Sequence, residues 1–171
     1  CKFLGSLIGL IGSGGFTTIG NCIFDGCSRA IDIPMGADTV FIDNNLILNT
    51  INNGMAIDVQ DASFVNIRNN IVFSPAERRR YNEGINAGNG VGIVKNNVVA
   101  NVIDGVSASM PLITNNTVTG CVYTGMVSGV RSHNLTNNVI SSDLWAVLAE
   151  APVSANYNNF WNSEVAIYGT I

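Results

Sequence analysis

The chain is built from short apolar runs separated by bends, and one polar unit punctuates it from end to end. Ile42-Asp43-Asn44-Asn45-Leu46-Ile47, Ile67-Arg68-Asn69-Asn70-Ile71-Val72, Val94-Lys95-Asn96-Asn97-Val98-Val99, Ile113-Thr114-Asn115-Asn116-Thr117-Val118 and Leu135-Thr136-Asn137-Asn138-Val139-Ile140 share the order apolar, polar, Asn, Asn, then a mostly apolar pair. Ile19-Gly20-Asn21-Cys22-Ile23-Phe24 is a weaker first copy, and the Asn158-Asn159 pair in Asn156-Tyr157-Asn158-Asn159-Phe160-Trp161 is a last one. The leading asparagines recur every 19 to 27 residues. A self-similar period of about two dozen residues signals a solenoid, whose repeats cannot bury an apolar face alone and must stack on their neighbours.

Between the Asn pairs lies a second set of short runs: Ala30-Ile31-Asp32-Ile33, Ala56-Ile57-Asp58-Val59, Gly84-Ile85-Asn86-Ala87, Gly105-Val106-Ser107-Ala108, Gly125-Met126-Val127-Ser128, Ala146-Val147-Leu148-Ala149 and Ala166-Ile167-Tyr168-Gly169. They alternate, are rich in β-branched residues and often follow an Asp-Gly, Asn-Gly or Glu-Gly turn signal. Nothing has the length or 3.6-residue spacing of a helix. Repeats of short strands and bends alone predict an all-β parallel β-helix of about seven coils. Leu7-Ile8-Gly9-Leu10 reads as the first strand of an initial coil, since Gly9 precedes Asn21 by the same 12 residues that separate Asp32 from Asn44.

The recurrent Ile-x-Asn-Asn-x-Val copies resemble the asparagine ladder of right-handed parallel β-helices in the pectate-lyase-like superfamily, over nearly the whole chain. The resemblance places the Asn at the tight bend between the second and third strands of each coil, with stacked side-chain amides satisfying polar groups that burial would otherwise leave unpaired. It puts Ile42-Asp43 and its equivalents on the second strand, Leu46-Ile47 on the third, and Ala30-Ile31-Asp32-Ile33 on the first. The superfamily's enzymatic signatures are missing: there is no Arg-x-Pro-x-x-Arg, Asn-Thr-Asp, Asp-Asp or Gly-His-Gly motif.

On the first strands the outward row should run Gly9, Asp32, Asp58, Asn86, Ser107, Val127, Leu148, Tyr168. Coils stack about 4.8 Å apart, so Asp32 and Asp58 become neighbours that repel unless a cation or a shared proton intervenes. The resemblance makes this face a substrate cleft. Asp32 and Asp58 are then candidates for calcium ligation or for paired-carboxylate hydrolysis, which in retaining glycosidases needs a separation near 5 Å. The longest interval between an Asn pair and the next first strand holds Glu77-Arg78-Arg79-Arg80-Tyr81-Asn82-Glu83. Arg78, Arg79 and Arg80 beside Asn86 would suit bidentate recognition of an acidic polysaccharide. The plainer readings are an outward row of polar residues without chemistry and a solvated turn whose glutamates pair with its arginines.

Other features narrow the picture further. Val127, Leu148 and Tyr168 turn the same face apolar, as contact with a partner chain would require. The outward row of the second strands should read Gly20, Asp43, Arg68, Lys95, Thr114, Thr136, Tyr157, with Asp43 pairing Arg68 one coil up. His133 reads as a solvated bend residue. With 171 residues, one domain spanning 1–171 is expected, and 47% apolar composition is ample for its core. The charged fraction of 12% is about half the usual level, and a net charge of -4 argues against a nucleic-acid partner. No run is long enough to span a membrane. Of the four cysteines, Cys22 and Cys27 read as buried thiols.

Two functions compete. One is an extracellular β-helix that binds or degrades polysaccharide. The other is a non-catalytic structural module of a virion or cell surface, such as a tail-spike shaft, assembled as a homotrimer or continued by flanking coils, since the terminal repeats show no cap.

Overall fold

The computed structural model describes the chain except residues 13, 52, 76–81, 111, 130–132 and 170–171. Among the described residues there is no helix. Three parallel sheets wind together into a β-solenoid of about seven turns. The first-strand sheet has eight strands, from Ile8–Ile11 through Arg29–Ile33 and Met55–Val59 to Val165–Gly169. The second-strand sheet has seven, from Phe16–Gly20 to Val153–Asn156, and the third-strand sheet eight, from Lys2–Leu4 to Asn159–Trp161. Within each sheet the hydrogen-bonded neighbours lie three elements apart in chain order, which is the signature of a coil.

Register brings like residues together. Inside the third sheet, Phe3, Phe24, Ile47, Val72, Val99, Val118, Ile140 and Phe160 stack one above another. Inside the second sheet the column is Ile19, Ile42, Ile67, Val94, Ile113, Leu135, Ala155. The first sheet contributes Leu10, Ile31, Ile57, Ile85, Val106, Met126, Val147 and Ile167. These columns are the core, fully buried through most of its length. Small residues let the walls close on one another: a Cβ on Gly105 would collide with Val118 Cγ1 and the carbonyl of Gly125.

The two asparagines of each pair divide the work of the bend. The first takes a left-handed backbone conformation, with φ between 54° and 57° at Asn44, Asn69, Asn96, Asn115 and Asn137. Asn tolerates that region better than other residues with a side chain. The second is buried and forms the ladder: Asn45, Asn70, Asn97, Asn116 and Asn138 are at most 2% exposed. Each Oδ1 accepts from the backbone N–H and the Nδ2 of the rung before it, at 2.9–3.1 Å. Each Nδ2 also donates backwards to a second-strand carbonyl, as Asn97 does to Ile67 at 3.0 Å. One side chain must therefore accept and donate at once, which aspartate cannot do and a hydroxyl does with fewer hydrogens.

The pattern shifts at both ends. Cys22 occupies the first rung, where only its backbone N–H reaches Asn45 Oδ1. In the last copy the rung is Asn158 and the left-handed residue is Tyr157, with φ 56°. The expected Asn158-Asn159 pairing is thus one residue out, because Asn159 already begins the third strand. The outward row of the second strands ends accordingly on Asn156 rather than Tyr157. Likewise the initial first strand is Ile8–Ile11, and Ile11 rather than Gly9 stands opposite Asp32. His133 opens a strand, His133–Thr136, instead of lying in a bend. Cys22 and Cys27 are buried free thiols, as expected.

Removing one rung tests the ladder. Asn97→Ala should cost about 2–4 kcal/mol, because it strands the Asn70 N–H and the Ile67 carbonyl in the core. At this chain length the melting temperature should fall by roughly 5–10 °C. Asn96→Gly, which keeps the left-handed bend, should change stability by well under about 1 kcal/mol. Equal losses for both variants in denaturant titrations would refute the division of roles.

Candidate functional site

The outward positions of the first strands follow one row from Asp32 through Asp58, Asn86, Ser107, Val127 and Leu148 to Tyr168. The acids are adjacent, as their spacing implied. They are not open to solvent, however: Asp32 is 8% and Asp58 3% exposed. Polar neighbours close over them. Arg29, three residues before Asp32 on the same strand, places one guanidinium nitrogen 3.1 Å from Asp32 Oδ2 and 3.8 Å from Asp58 Oδ2. Asn86 Nδ2 donates to Asp58 Oδ1 at 2.9 Å, and Gln60 Nε2 reaches Asp58 Oδ2 at 3.5 Å. The cation that two stacked carboxylates require is therefore supplied by the protein itself.

Burial of a charge is tolerated only when it is paired and hydrogen-bonded. Asp58 meets that condition on both oxygens. Asp32 meets it on one; its Oδ1 is buried without a hydrogen-bond partner. Arg29 was not singled out by sequence reading, although a signal existed. The position three before the outward row recurs as Arg29, Met55, Glu83, Asp104, Thr124, Trp145 and Val165, and from Met55 onward register pairs such as Met55 with Glu83 and Thr124 with Trp145 align it between coils. This second row thus adds two acids and a tryptophan to the face.

Glu83 and Asp104 bear the electrostatic strain of that row. Burial raises the Glu83 carboxyl above its ordinary value, and the negative charges of Asp104 and then Asp58 raise it further. Asp104 is raised by burial too, offset in part by hydrogen bonds from Thr124, whose backbone N–H lies 3.1 Å from Asp104 Oδ1.

Calcium would need six to eight oxygen ligands. Among the described residues no group of three or more His, Cys, Asp or Glu side chains is placed to hold a metal ion. The acid pair, with a guanidinium between its oxygens, does not fit one. A hollow of about 340 Å³ is lined by Leu7, Ile8, Ser28, Arg29, Asn53 and Gly54; another of about 350 Å³, at the starts of the second strands, borders Asp38, Asp61 and Asn89. Neither is lined by Asp32 or Asp58. Arg78, Arg79 and Arg80, expected beside Asn86, lie outside the described residues.

Further along, the row turns aromatic. The rings of Trp145 and Tyr168 stack at 5.3 Å with 17° between their planes, and Tyr168 is 55% exposed. On the second-strand sheet the expected ion pair is present, with Arg68 Nη2 2.9 Å from Asp43 Oδ2 at the surface.

No family model, curated protein or solved structure matches the chain. The β-solenoid is shown by its own geometry, and the pectate-lyase-like resemblance rests on the asparagine pattern alone.

Carboxyls whose folded values are raised contribute stability below their unfolded values, and that stability is lost as pH rises through the folded ones. Stability should therefore fall as pH climbs from about 4.5 toward neutrality, and Glu83→Gln should flatten that slope and raise the melting temperature at pH 7. A slope unchanged by Glu83→Gln and by Asp104→Asn, measured by thermal melts across pH, would count against the carboxylate row.

Proposed function

We propose that this chain is a non-catalytic β-solenoid module, a rigid rod of an extracellular, cell-surface or virion structure. The observation that carries the reading is the closure of Asp32 and Asp58 by Arg29, Asn86 and Gln60. A hydrolytic pair needs one carboxylate free to attack or activate water and one carboxylic acid to protonate the leaving group. Here one guanidinium lies against both groups, and almost no surface is left for a sugar to reach them. The network instead makes a buried, neutralised seam that locks neighbouring first strands in register. A low charged fraction and an exterior rich in asparagine suit a shaft or adhesin, whether continued by flanking coils or associated with further copies of itself.

Polysaccharide binding without cleavage is a second reading, supported by the Trp145–Tyr168 stack. The exposed Tyr168 ring, stacked on the half-buried Trp145, offers a flat apolar surface for the face of a sugar ring, and Asn86 lies on the same sheet, four strands below Tyr168.

A panel of neutral, uronate and sulfated oligosaccharides, incubated with and without calcium, separates these readings from an enzyme. No bond cleavage is expected, and Asp58→Asn should lower the melting temperature without altering any sugar signal. Product release by the unaltered chain that Asp58→Asn abolishes would sink the scaffold reading. Should a sugar bind, Tyr168→Ala is expected to weaken it about ten-fold or more, in line with a lost stacking contact.

A further inference from the structure

The outer face of the third-strand sheet carries apolar residues that the described part of the fold leaves uncovered. Its first outward row runs from Lys2 through Ile23, Leu46, Ile71, Val98, Thr117 and Val139 to Asn159, paired in that order between coils. The next contains Leu4, Asp25, Leu48, Phe73, Ala100 and Thr119. Ile71 is 46% exposed, Phe73 43% and Val98 40%. In an ordinary one-sided sheet this face would be polar. The charges within these two rows among the described residues are Lys2, at the row's end, and Asp25, which is engaged by Asn49 Nδ2 at 2.7 Å. Along one margin run the exposed left-handed asparagines Asn44, Asn69, Asn96, Asn115 and Asn137, two of them bonded coil to coil, with Asn96 Nδ2 3.2 Å from Asn69 Oδ1.

We propose that this face is a homotypic interface, covered by a second copy of this chain packed sheet against sheet. Three observations favour that occupant. First, an apolar centre with a neutral amide margin is the anatomy of a specific protein contact, and being almost free of charge it meets its own copy without the repulsion that a net charge of -4 would otherwise bring. Second, the side chains of the first row recur at the strand spacing of about 4.8 Å. A second copy offers ridges of identical pitch, so the rows of the two faces can interdigitate along their whole length, as an unrelated surface could not. The register runs without a shift from Ile23 to Val98, which keeps the face regular where it is most apolar. Third, the area suffices. Eight strands at that spacing and about five residues of width, margins included, give about 600 Å² per copy. That is about 1,200 Å² for the pair, the lower bound of stable specific interfaces. A two-fold axis lying in the plane of the contact would make it isologous and closed.

The inference deepens the scaffold reading by naming what the rod touches, and the two fail separately. Sugar cleavage would sink the scaffold whatever the mass, and a monomer would sink the interface whatever the sugar panel gives.

The test is the mass of the chain in solution by sedimentation or light scattering from about 1 to 100 µM. A species of twice the chain mass is expected. Ile71→Glu and Val98→Glu should each weaken the association at least about a hundred-fold, since each copy would bury an unpaired carboxylate. Both positions point outward, so circular dichroism should remain that of the parent. Val91→Glu, on the outward face of the second-strand sheet and 54% exposed, should leave the mass unchanged. A monomer throughout the range overturns the proposal, and so does a dimer that Ile71→Glu and Val98→Glu leave intact or that Val91→Glu dissociates equally.

Discussion

A buried side-chain amide that must accept from one coil and donate to another is the constraint on which this molecule depends. Every turn of the solenoid has to bend sharply between its second and third strands, and a bend takes backbone N–H and carbonyl groups out of the ladder. At Asn45, Asn70, Asn97, Asn116 and Asn138 the amide replaces the lost partners while lying almost wholly out of solvent. Because each rung bonds the next, the position of one coil fixes that of its neighbour. The aliphatic columns and the outward rows inherit their alignment from this stack. A core of Ile and Val alone would supply the burial, but it would tolerate slippage.

The same alignment that organises the core creates the electrostatic problem on the first-strand face. Identical register places Asp32 directly against Asp58, and Glu83 near both Asp58 and Asp104. The fold answers it unevenly. Arg29 and Asn86 satisfy the Asp58 carboxylate, whereas Asp32 keeps one buried oxygen without a partner and Glu83 is held above its ordinary protonation range. Carboxylates arranged in this way tighten the stack as they are neutralised, by arginine or by protons. That behaviour belongs to a structural seam more than to a pair of groups holding different roles in a reaction.

Much of this was legible in the chain. The Asn pairs gave the repeat, the strand assignments and the row Asp32, Asp58, Asn86, because parallel stacking turns sequence phase directly into spatial adjacency. The errors came at the ends, where the repeat loosens: Gly9 for Ile11, Asn158-Asn159 for Tyr157-Asn158, Tyr157 for Asn156, and a bend for His133. A one-residue slip reverses the face to which every following side chain points. Arg29 is not legible from the outward row itself, because its guanidinium crosses to Asp32 and Asp58 from the neighbouring row. The apolar third-strand exterior was missed for a related reason. Leu46, Ile71 and Val98 read as core in a run such as Ile71-Val72, where only one residue of each pair can face inward.

The sequence by itself determined the coil: periodic asparagines demand rungs, and short β-branched runs of even phase demand strands around a continuous core. Tertiary structure alone decided which asparagine of each pair is the rung, how far Asp32 and Asp58 are withdrawn from water, and which apolar residues remain outside. The reason is physical. Periodicity sets who stacks on whom, but burial and charge neutralisation depend on side chains arriving from adjacent rows and coils, and their reach is fixed only once the coils are closed.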